Sequence, residues 1–229
     1  MKIKTIKTAF IKTIPVMAGY IFLGSGFGIL MKNAGYDILM SFIMSVIIFA
    51  GTGQYLGVSL LAGAASFLTT AITTFMVNAR HIFYSISMIE KYKNTKPYKP
   101  YLIFGLTDET YSLLCDVKLS DDIDKNLFYF FVTLFNHCYW ISGCVLGNAV
   151  SSHLPFSTTG IEFSMTALFV ATFTEQWITN KNHLPAIIGV FCSVICLLVF
   201  GKDNFLIPSM IIITFILSFI KPNMEVENA

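Results

Sequence analysis

Four ionisable side chains lie in stretches too apolar to form a protein surface. Arg80 and His81 close the run Phe75-Met76-Val77-Asn78-Ala79-Arg80-His81, and Asp108 and Glu109 sit inside an apolar stretch from Tyr101 to Val117. An Arg or Asp at the centre of a membrane helix costs about 2.5–3.5 kcal/mol. A chain that keeps several such groups has to compensate them, so the sequence predicts that Arg80 pairs with Asp108 or Glu109. The alternative is that Arg80 and His81 reach for the interface as their segment ends, while Asp108 caps a half-helix.

Uncharged polar groups accompany these four. Gln54 follows two helix-weakening glycines, Gly51 and Gly53, in Ala50-Gly51-Thr52-Gly53-Gln54. That stretch is poor as a continuous lipid-facing helix and suited to an unwound turn lining a cavity. Thr70, Thr74, Asn78, His81 and Ser85 recur at helical spacing and predict one polar face, used either to line a cavity or to bond neighbouring helices. Glu175 and His137 are further candidates to carry a proton.

The elements that must position these residues follow from composition. Of 229 residues 55% are apolar and only 12% charged, which excludes an ordinary soluble domain. At about 20 residues per spanning helix, the chain reads as an all-α polytopic membrane protein with about seven or eight apolar segments. They fall near 14–31, 39–61, 66–89, 101–117, 127–150, 161–179, 184–200 and 204–220. Lys2, Lys4, Lys7 and Lys12 before the first run predict a retained membrane helix with a cytoplasmic N-terminus. The small net charge of +2 gives no footprint for nucleic acid. Cys115, Cys138, Cys144, Cys192 and Cys196 lack metal spacing and read as small buried residues. No metal, cofactor or catalytic signature is expected.

Lysine-rich loops prefer the cytoplasm, yet three apolar segments separate the N-terminus from the cluster Lys91, Lys93, Lys96 and Lys99. An odd number of crossings cannot satisfy both, so one segment must be broken or re-entrant, and Gly51 to Gln54 is the expected place. An internal echo supports this: Met44 to Ala50 aligns with Met165 to Ala171, each copy running on to Gln-aromatic, Gln54-Tyr55 and Gln176-Trp177. The expectation is a single transport domain over 1–229, with repeat one at about 14–89, a linker helix at about 101–117 and repeat two at about 127–220. If the linker crosses, the repeats are inverted, and paired breaks in inverted halves mark a transporter's binding site. Gly51, Gly53, Gln54, Asn78, Thr172 and Gln176 are then the expected substrate ligands. Arg80, His81, Asp108, Glu109 and Glu175 are the expected ion-pair or proton-coupling groups. G-x-x-x-G steps at Gly24 to Gly28, Gly53 to Gly57 and Gly143 to Gly147 predict close helix approach.

Pro15 with a glycine-rich first helix, Phe49-Ala50-Gly51 followed by Gln54, Asn78-x-Arg80-His81, and Thr107-Asp108-Glu109 together resemble the AzlC (YgaZ) family over nearly the whole chain. The resemblance implies an exporter of branched-chain amino acids and their analogues in the bacterial inner membrane. It also implies a small AzlD-type membrane subunit as partner, and it assigns the polar elements to Gln54, Asn78, Arg80, His81, Asp108 and Glu109. The second half has no Asn-x-Arg-His copy. Three rival readings stay open: a transporter of another small amino or organic acid, a non-transporting assembly subunit, and a membrane enzyme using Asp108 and Glu109 as acid and base.

Overall fold

The structure is a computed structural model that describes residues 2–78, 80–115, 117, 119–120, 122–151, 163, 166, 170, 173–174, 177–178, 182–201 and 205–225. Its helices are α1 (Lys2–Asn33), α2 (Ile38–Ile47), α3 (Gly51–Ala62), α4 (Phe67–Asn78), α5 (Arg80–Tyr92), α6 (Lys99–Phe104), α7 (Asp108–Cys115), α8 (Lys125–Ser151), α9 (Leu184–Phe200) and α10 (Leu206–Glu225). No strand occurs among the described residues. The chain divides into two units, Met1–Met165 and Thr166–Ala229.

In the first unit, polarity is turned inside out. Gln54, Asn136, Thr110 and Asn148 are buried, while Phe22, Leu39, Ile47, Phe67 and Phe75 are exposed. That is the distribution a lipid-solvated protein needs, because apolar side chains lose nothing by facing hydrocarbon and polar ones must find partners inside.

Only α1 and α8, 32 and 27 residues long, are long and apolar enough among the described residues to cross a membrane alone. They run parallel, with Thr13 beside Tyr139, Gly24 over Cys144 and Gly28 over Gly147 and Asn148. A Cβ on Gly24 would sit 3.0 Å from the Trp140 carbonyl oxygen, and one on Gly143 2.8 Å from that of Tyr20. On Gly28 or Gly147 it would collide with backbone outright. Two of the three G-x-x-x-G steps therefore meet in one seam where the backbones touch.

The remaining helices of this unit hold 6 to 13 residues. At 1.5 Å per residue each reaches at most about 20 Å, short of a hydrocarbon core of about 30 Å. The second apolar segment is broken, but at Ile48 to Ala50, where Phe49 has φ +35 and Ala50 is extended at φ −141, ψ 93; Gly51 to Gln54, the expected unwound turn, instead form the first turn of α3. Beyond the break the chain turns back. Met44 Cε comes within 3.4 Å of where a Cβ on Gly57 would lie, although a continuous helix would hold those residues about 20 Å apart.

A second fold-back occupies 99–115, where one linker helix was expected. The chain leaves α6 at Gly105 and re-enters helix at Asp108, because a Cβ on Gly105 would strike Thr133 and the Thr107 hydroxyl caps α7 by accepting the Thr110 N–H at 3.3 Å. It then returns to the end it came from. Tyr98, just before α6, packs on Phe130 near the start of α8, with ring centroids 4.8 Å apart. At the far end of α7 the Lys91 ammonium donates to the Leu114 carbonyl at 2.7 Å and to that of Cys115, a cation on the negative end of a helix. Leu102, Leu106, Leu114, Phe128 and Val132 are buried together and hold this hairpin in place.

The same end gathers the N-terminus. Lys4 pairs with Asp122, the Asp124 N–H donates to Thr5 Oγ1 at 3.2 Å, and Asn126 Nδ2 donates to the Asn94 carbonyl at 3.1 Å. The start of α1, the end of α5, both ends of α6–α7 and the start of α8 thus lie together. This corrects the expectation that the second half starts from the opposite side, since the segment before it folds back instead of running through. It also answers the lysine problem: α1 and α4–α5 run end to end between the two basic clusters, and α2–α3 returns to its own end. In the second unit, α9 and α10 are apolar helices exposing Phe191, Leu198, Ile211 and Phe215.

Candidate functional site

The two hairpins point at each other and their tips meet halfway along α8. Phe49, at the first tip, lies 3.6 Å from the place of a Cβ on Gly105, at the second. The Phe49 ring stacks on His137 with centroids 4.3 Å apart. His137 serves both hairpins: its Nε2 lies 3.3 Å from the Ser45 carbonyl, released by the break after α2, and its Nδ1 lies 3.0 Å from the Tyr101 hydroxyl of α6. A carbonyl only accepts, so Nε2 carries the proton and Nδ1 accepts from Tyr101.

α3 begins at this level. Gly51 packs against the Trp140 ring, 3.1 Å from the place of its Cβ. The Trp140 indole N–H donates to Gln54 Oε1 at 2.6 Å. Because the indole is only a donor, the orientation of the amide is fixed. Gln54 Nε2 is left buried with no hydrogen-bond partner among the described residues. Ala50, the residue before the helix, provides no side-chain cap for its first N–H groups.

Across from Gly53 sits Asn78, whose Nδ2 is 3.3 Å from the place of a Gly53 Cβ. That nitrogen donates to the Thr74 carbonyl at 3.0 Å, and Asn78 Oδ1 is buried with no hydrogen bond among the described residues. Leaving a buried polar atom unmade costs about 1–3 kcal/mol. Gln54 thus offers a free donor and Asn78 a free acceptor.

α7 also begins at this level, with its adjacent carboxylates diverging. Asp108 faces α5, its Oδ1 4.0 Å from His81 Nε2, and both side chains are partly buried. Glu109 faces α1 and accepts the Tyr20 hydroxyl at 2.6 Å. Tyr20 also contacts Thr107 Oγ1 at 2.7 Å, Thr107 lies 3.0 Å from Thr110 Oγ1, and Asn136 Nδ2 donates to Thr110 Oγ1 at 3.0 Å.

These contacts close into a circuit through six helices. It runs from Gly53 to Asn78, through the Asn78 carbonyl to His81 Nδ1 at 3.0 Å, then to Asp108, Glu109, Tyr20, Trp140 and back to Gln54. The chain matches the AzlC protein family over residues 15–154, a stretch that contains every member of the circuit.

The chain belongs to the AzlC family. It is similar to the branched-chain amino acid transport protein AzlC of Bacillus subtilis (strain 168), 42% identical over 219 residues that cover 96% of this chain and 86% of that one. An uncharacterized membrane protein of Helicobacter pylori (strain ATCC 700392 / 26695) is 38% identical over 97% of this chain and 98% of its own. The inner membrane protein YgaZ of Escherichia coli (strain K12) is 26% identical over 80% and 78%. No solved structure matches.

Of the residues singled out in the sequence, the structure brings Gly53, Gln54, Asn78, His81, Asp108 and Glu109 into one circuit, with Gly51 packed against its Trp140. Arg80 opens α5, and its side chain lies outside the described residues, as do Thr172, Glu175 and Gln176 with the second copy of the echo. Thr70, Thr74, Asn78, His81 and Ser85 are divided between α4 and α5, and Thr74 and Ser85 are exposed. Tyr20, Trp140, Thr107 and Asn136 were not singled out as ligands. Tyr and Trp in an apolar run read as filler, and nothing in their spacing announces a polar partner. Among the described residues no group of three His, Cys, Asp or Glu is placed to hold a metal ion.

Proposed function

We propose that the chain is a secondary transporter that exports leucine, isoleucine, valine and their analogues across the bacterial inner membrane. The observation that carries this reading is the pairing of Gln54 and Asn78. Among the described residues, one presents a buried donor with no partner and the other a buried acceptor with no hydrogen bond; Gln54 follows Gly53 in α3, and the Asn78 amide packs against Gly53. A zwitterionic amino acid is complementary to both. Its carboxylate accepts from Gln54 Nε2 and from N–H groups at the positive end of α3. Its ammonium donates to Asn78 Oδ1 and faces the Asp108 carboxylate. The aliphatic side chain packs on the apolar groups at the hairpin tips, of which Phe49 is the largest.

The name of the Bacillus subtilis relative supports branched-chain amino acids as the cargo, and the name of the Escherichia coli relative supports the inner membrane. The protein is multi-pass and not an enzyme, with the lysine-rich end of the first unit in the cytoplasm. The whole chain acts as one transport domain, in complex with a small AzlD-type membrane subunit. Proton antiport drives export against a gradient, with Arg80 and Glu175 as further charge partners of the transport cycle and Thr172 and Gln176 as ligands from the second half.

The test is efflux of radiolabelled leucine from loaded vesicles that contain this chain, with and without its small partner. Leucine efflux that depends on the chain and is competed by isoleucine and valine is the expected result. Flux of another amino or organic acid with leucine excluded would overturn the substrate assignment. Flux that needs only the partner would reduce this chain to an assembly subunit.

A further inference from the structure

Resting on that transport reading, we infer that the amino acid passes between the site and the lysine-rich end along the seam between α5 and α7, and that Lys91 is the latch that closes it. His81, Tyr84, Met88 and Lys91 recur at helical spacing and form one stripe of α5. Ile82, Ile86 and Ile89 point away from it and are exposed. The stripe follows α7 from its start to its end. At the site, His81 Nε2 lies 4.0 Å from Asp108 Oδ1. One turn on, the Tyr84 and Tyr111 rings stack with centroids 4.7 Å apart. Met88 and Leu114 are then buried in one apolar cluster with Tyr92. At the lysine-rich end the Lys91 ammonium donates to the Leu114 and Cys115 carbonyls.

What closes this seam is side chains. Between α1 and α8 backbone meets backbone at Gly28 and Gly147, and no side-chain rotation can part them. Between α5 and α7 the closure is a ring stack, an apolar plug and one flexible cation, all of which move by changing rotamer. The cation acts where the seam reaches water. The last carbonyls of a helix have no donor within it, and the ammonium meets two of them at the negative end of α7. When Lys91 swings out, its long stem carries the charge into water at that end. Met88 and Leu114 are then uncovered.

The closed seam also holds a counterweight. The Tyr92 hydroxyl is buried without a hydrogen bond among the described residues, its ring centroid 6.0 Å from that of Tyr129. A buried hydroxyl left unmet disfavours the closed arrangement, and water admitted by opening satisfies it. Lys91 and Tyr92, adjacent in sequence, therefore act in opposite directions: one holds the seam shut and the other favours its opening. A route that opens and closes with each cargo needs such a balance, because neither state can lie far below the other.

The experiment uses the full-length chain in proteoliposomes of one orientation, cysteine-free apart from Met88→Cys. It reads the rate at which a membrane-impermeant methanethiosulfonate, added on the lysine-rich side, modifies that cysteine. Lys91→Met raises the rate about tenfold, the scale of a hydrogen bond made by a charged group. Lys91→Arg keeps the cation and restores the slow rate. Tyr92→Phe lowers the rate about fivefold or more, because the closed state no longer buries an unmet hydroxyl. Rates that do not move, or that move in the same direction in Lys91→Met and Tyr92→Phe, overturn the proposal. If Lys91→Met fails to fold, the Tyr92→Phe rate decides. Modification of Met88→Cys should also stop leucine exchange, and exchange at the unmodified rate would put the route elsewhere. Absence of leucine exchange before modification refutes the transport reading, while the two rates still decide whether the seam opens.

Discussion

Trp140 donates its indole N–H to Gln54 Oε1 at 2.6 Å, and that bond decides which end of the Gln54 amide faces the hairpin tips. Gln54→Leu deletes the free donor while keeping the volume. It raises the KM for leucine by about 10- to 100-fold, the cost of one hydrogen bond to a charged group. Trp140→Phe removes the donor that fixes the amide and trims the ring on which Gly51 and Tyr20 pack, and it raises KM about fivefold or more, at least the scale of one neutral hydrogen bond. Leucine concentration dependence of exchange in proteoliposomes measures both.

The seam between α1 and α8 gives a stability prediction of opposite sign at two glycines. Gly147→Val drives a side chain into the Ser25 backbone and costs about 1–3 kcal/mol or more. Gly19 has nothing within 4 Å of its Cβ position, so Gly19→Ala stabilises α1 by up to about 1 kcal/mol through helix propensity alone. Thermal unfolding of the purified protein in one detergent should show a lower midpoint for the first variant and an equal or higher one for the second.

Sequence patterning went as far as local chemistry reaches. That the second apolar segment reverses was legible, because the lysine clusters demanded it and Gly51 and Gly53 beside Gln54 are poor in a lipid-facing helix; the place was not, since Gly51 to Gln54 are helical and the reversal lies at Ile48 to Ala50, where Phe49 takes a positive φ. The fold-back at Gly105 was not legible. One glycine in an apolar run is ordinary, and the reason for this one is Thr133, a neighbour in space on α8. The divergence of Asp108 and Glu109 was hidden for the same reason: adjacent carboxylates look alike in sequence, and only the placement of α5 and α1 gives them different partners. The parallel entry of α1 and α8 reversed the inference of inverted halves because the sequence could not say whether 101–117 crosses.

Sidedness follows from that fold-back and is testable by labelling. In a cysteine-free background, Asn94→Cys and Ser120→Cys react with a membrane-impermeant maleimide from the same side of the membrane. Ala34→Cys and Ser66→Cys react from the other. A single crossing through 101–117 would put Asn94 and Ser120 on opposite sides.

Lys4 holds the Asp122 carboxyl below the usual carboxylate range through a side-chain hydrogen bond, aided by Ser120. A carboxylate depressed in the folded state contributes stability that is present above its unfolded value of about 4 and is lost as pH falls through the depressed value. The pair is exposed and screened, so Lys4→Ala leaves the thermal midpoint between pH 5 and 8 unchanged. The same substitution moves the Asp122 titration back up toward that of an ordinary aspartate. Carboxyl-detected NMR of detergent-solubilised protein reads the second effect, and a thermal scan the first.

The central claim is that the meeting point of the two hairpins reads both ends of an amino-acid zwitterion. Equilibrium binding of radiolabelled leucine, competed by leucinamide and by 4-methylpentanoate, tests it most directly, because each competitor lacks one of the two charged groups. The wild-type protein should reject both by about 100-fold or more, as a site built around buried polar groups does. Gln54→Leu should narrow the gap between leucine and leucinamide while preserving rejection of 4-methylpentanoate. Wild-type discrimination retained in full by Gln54→Leu would contradict the account.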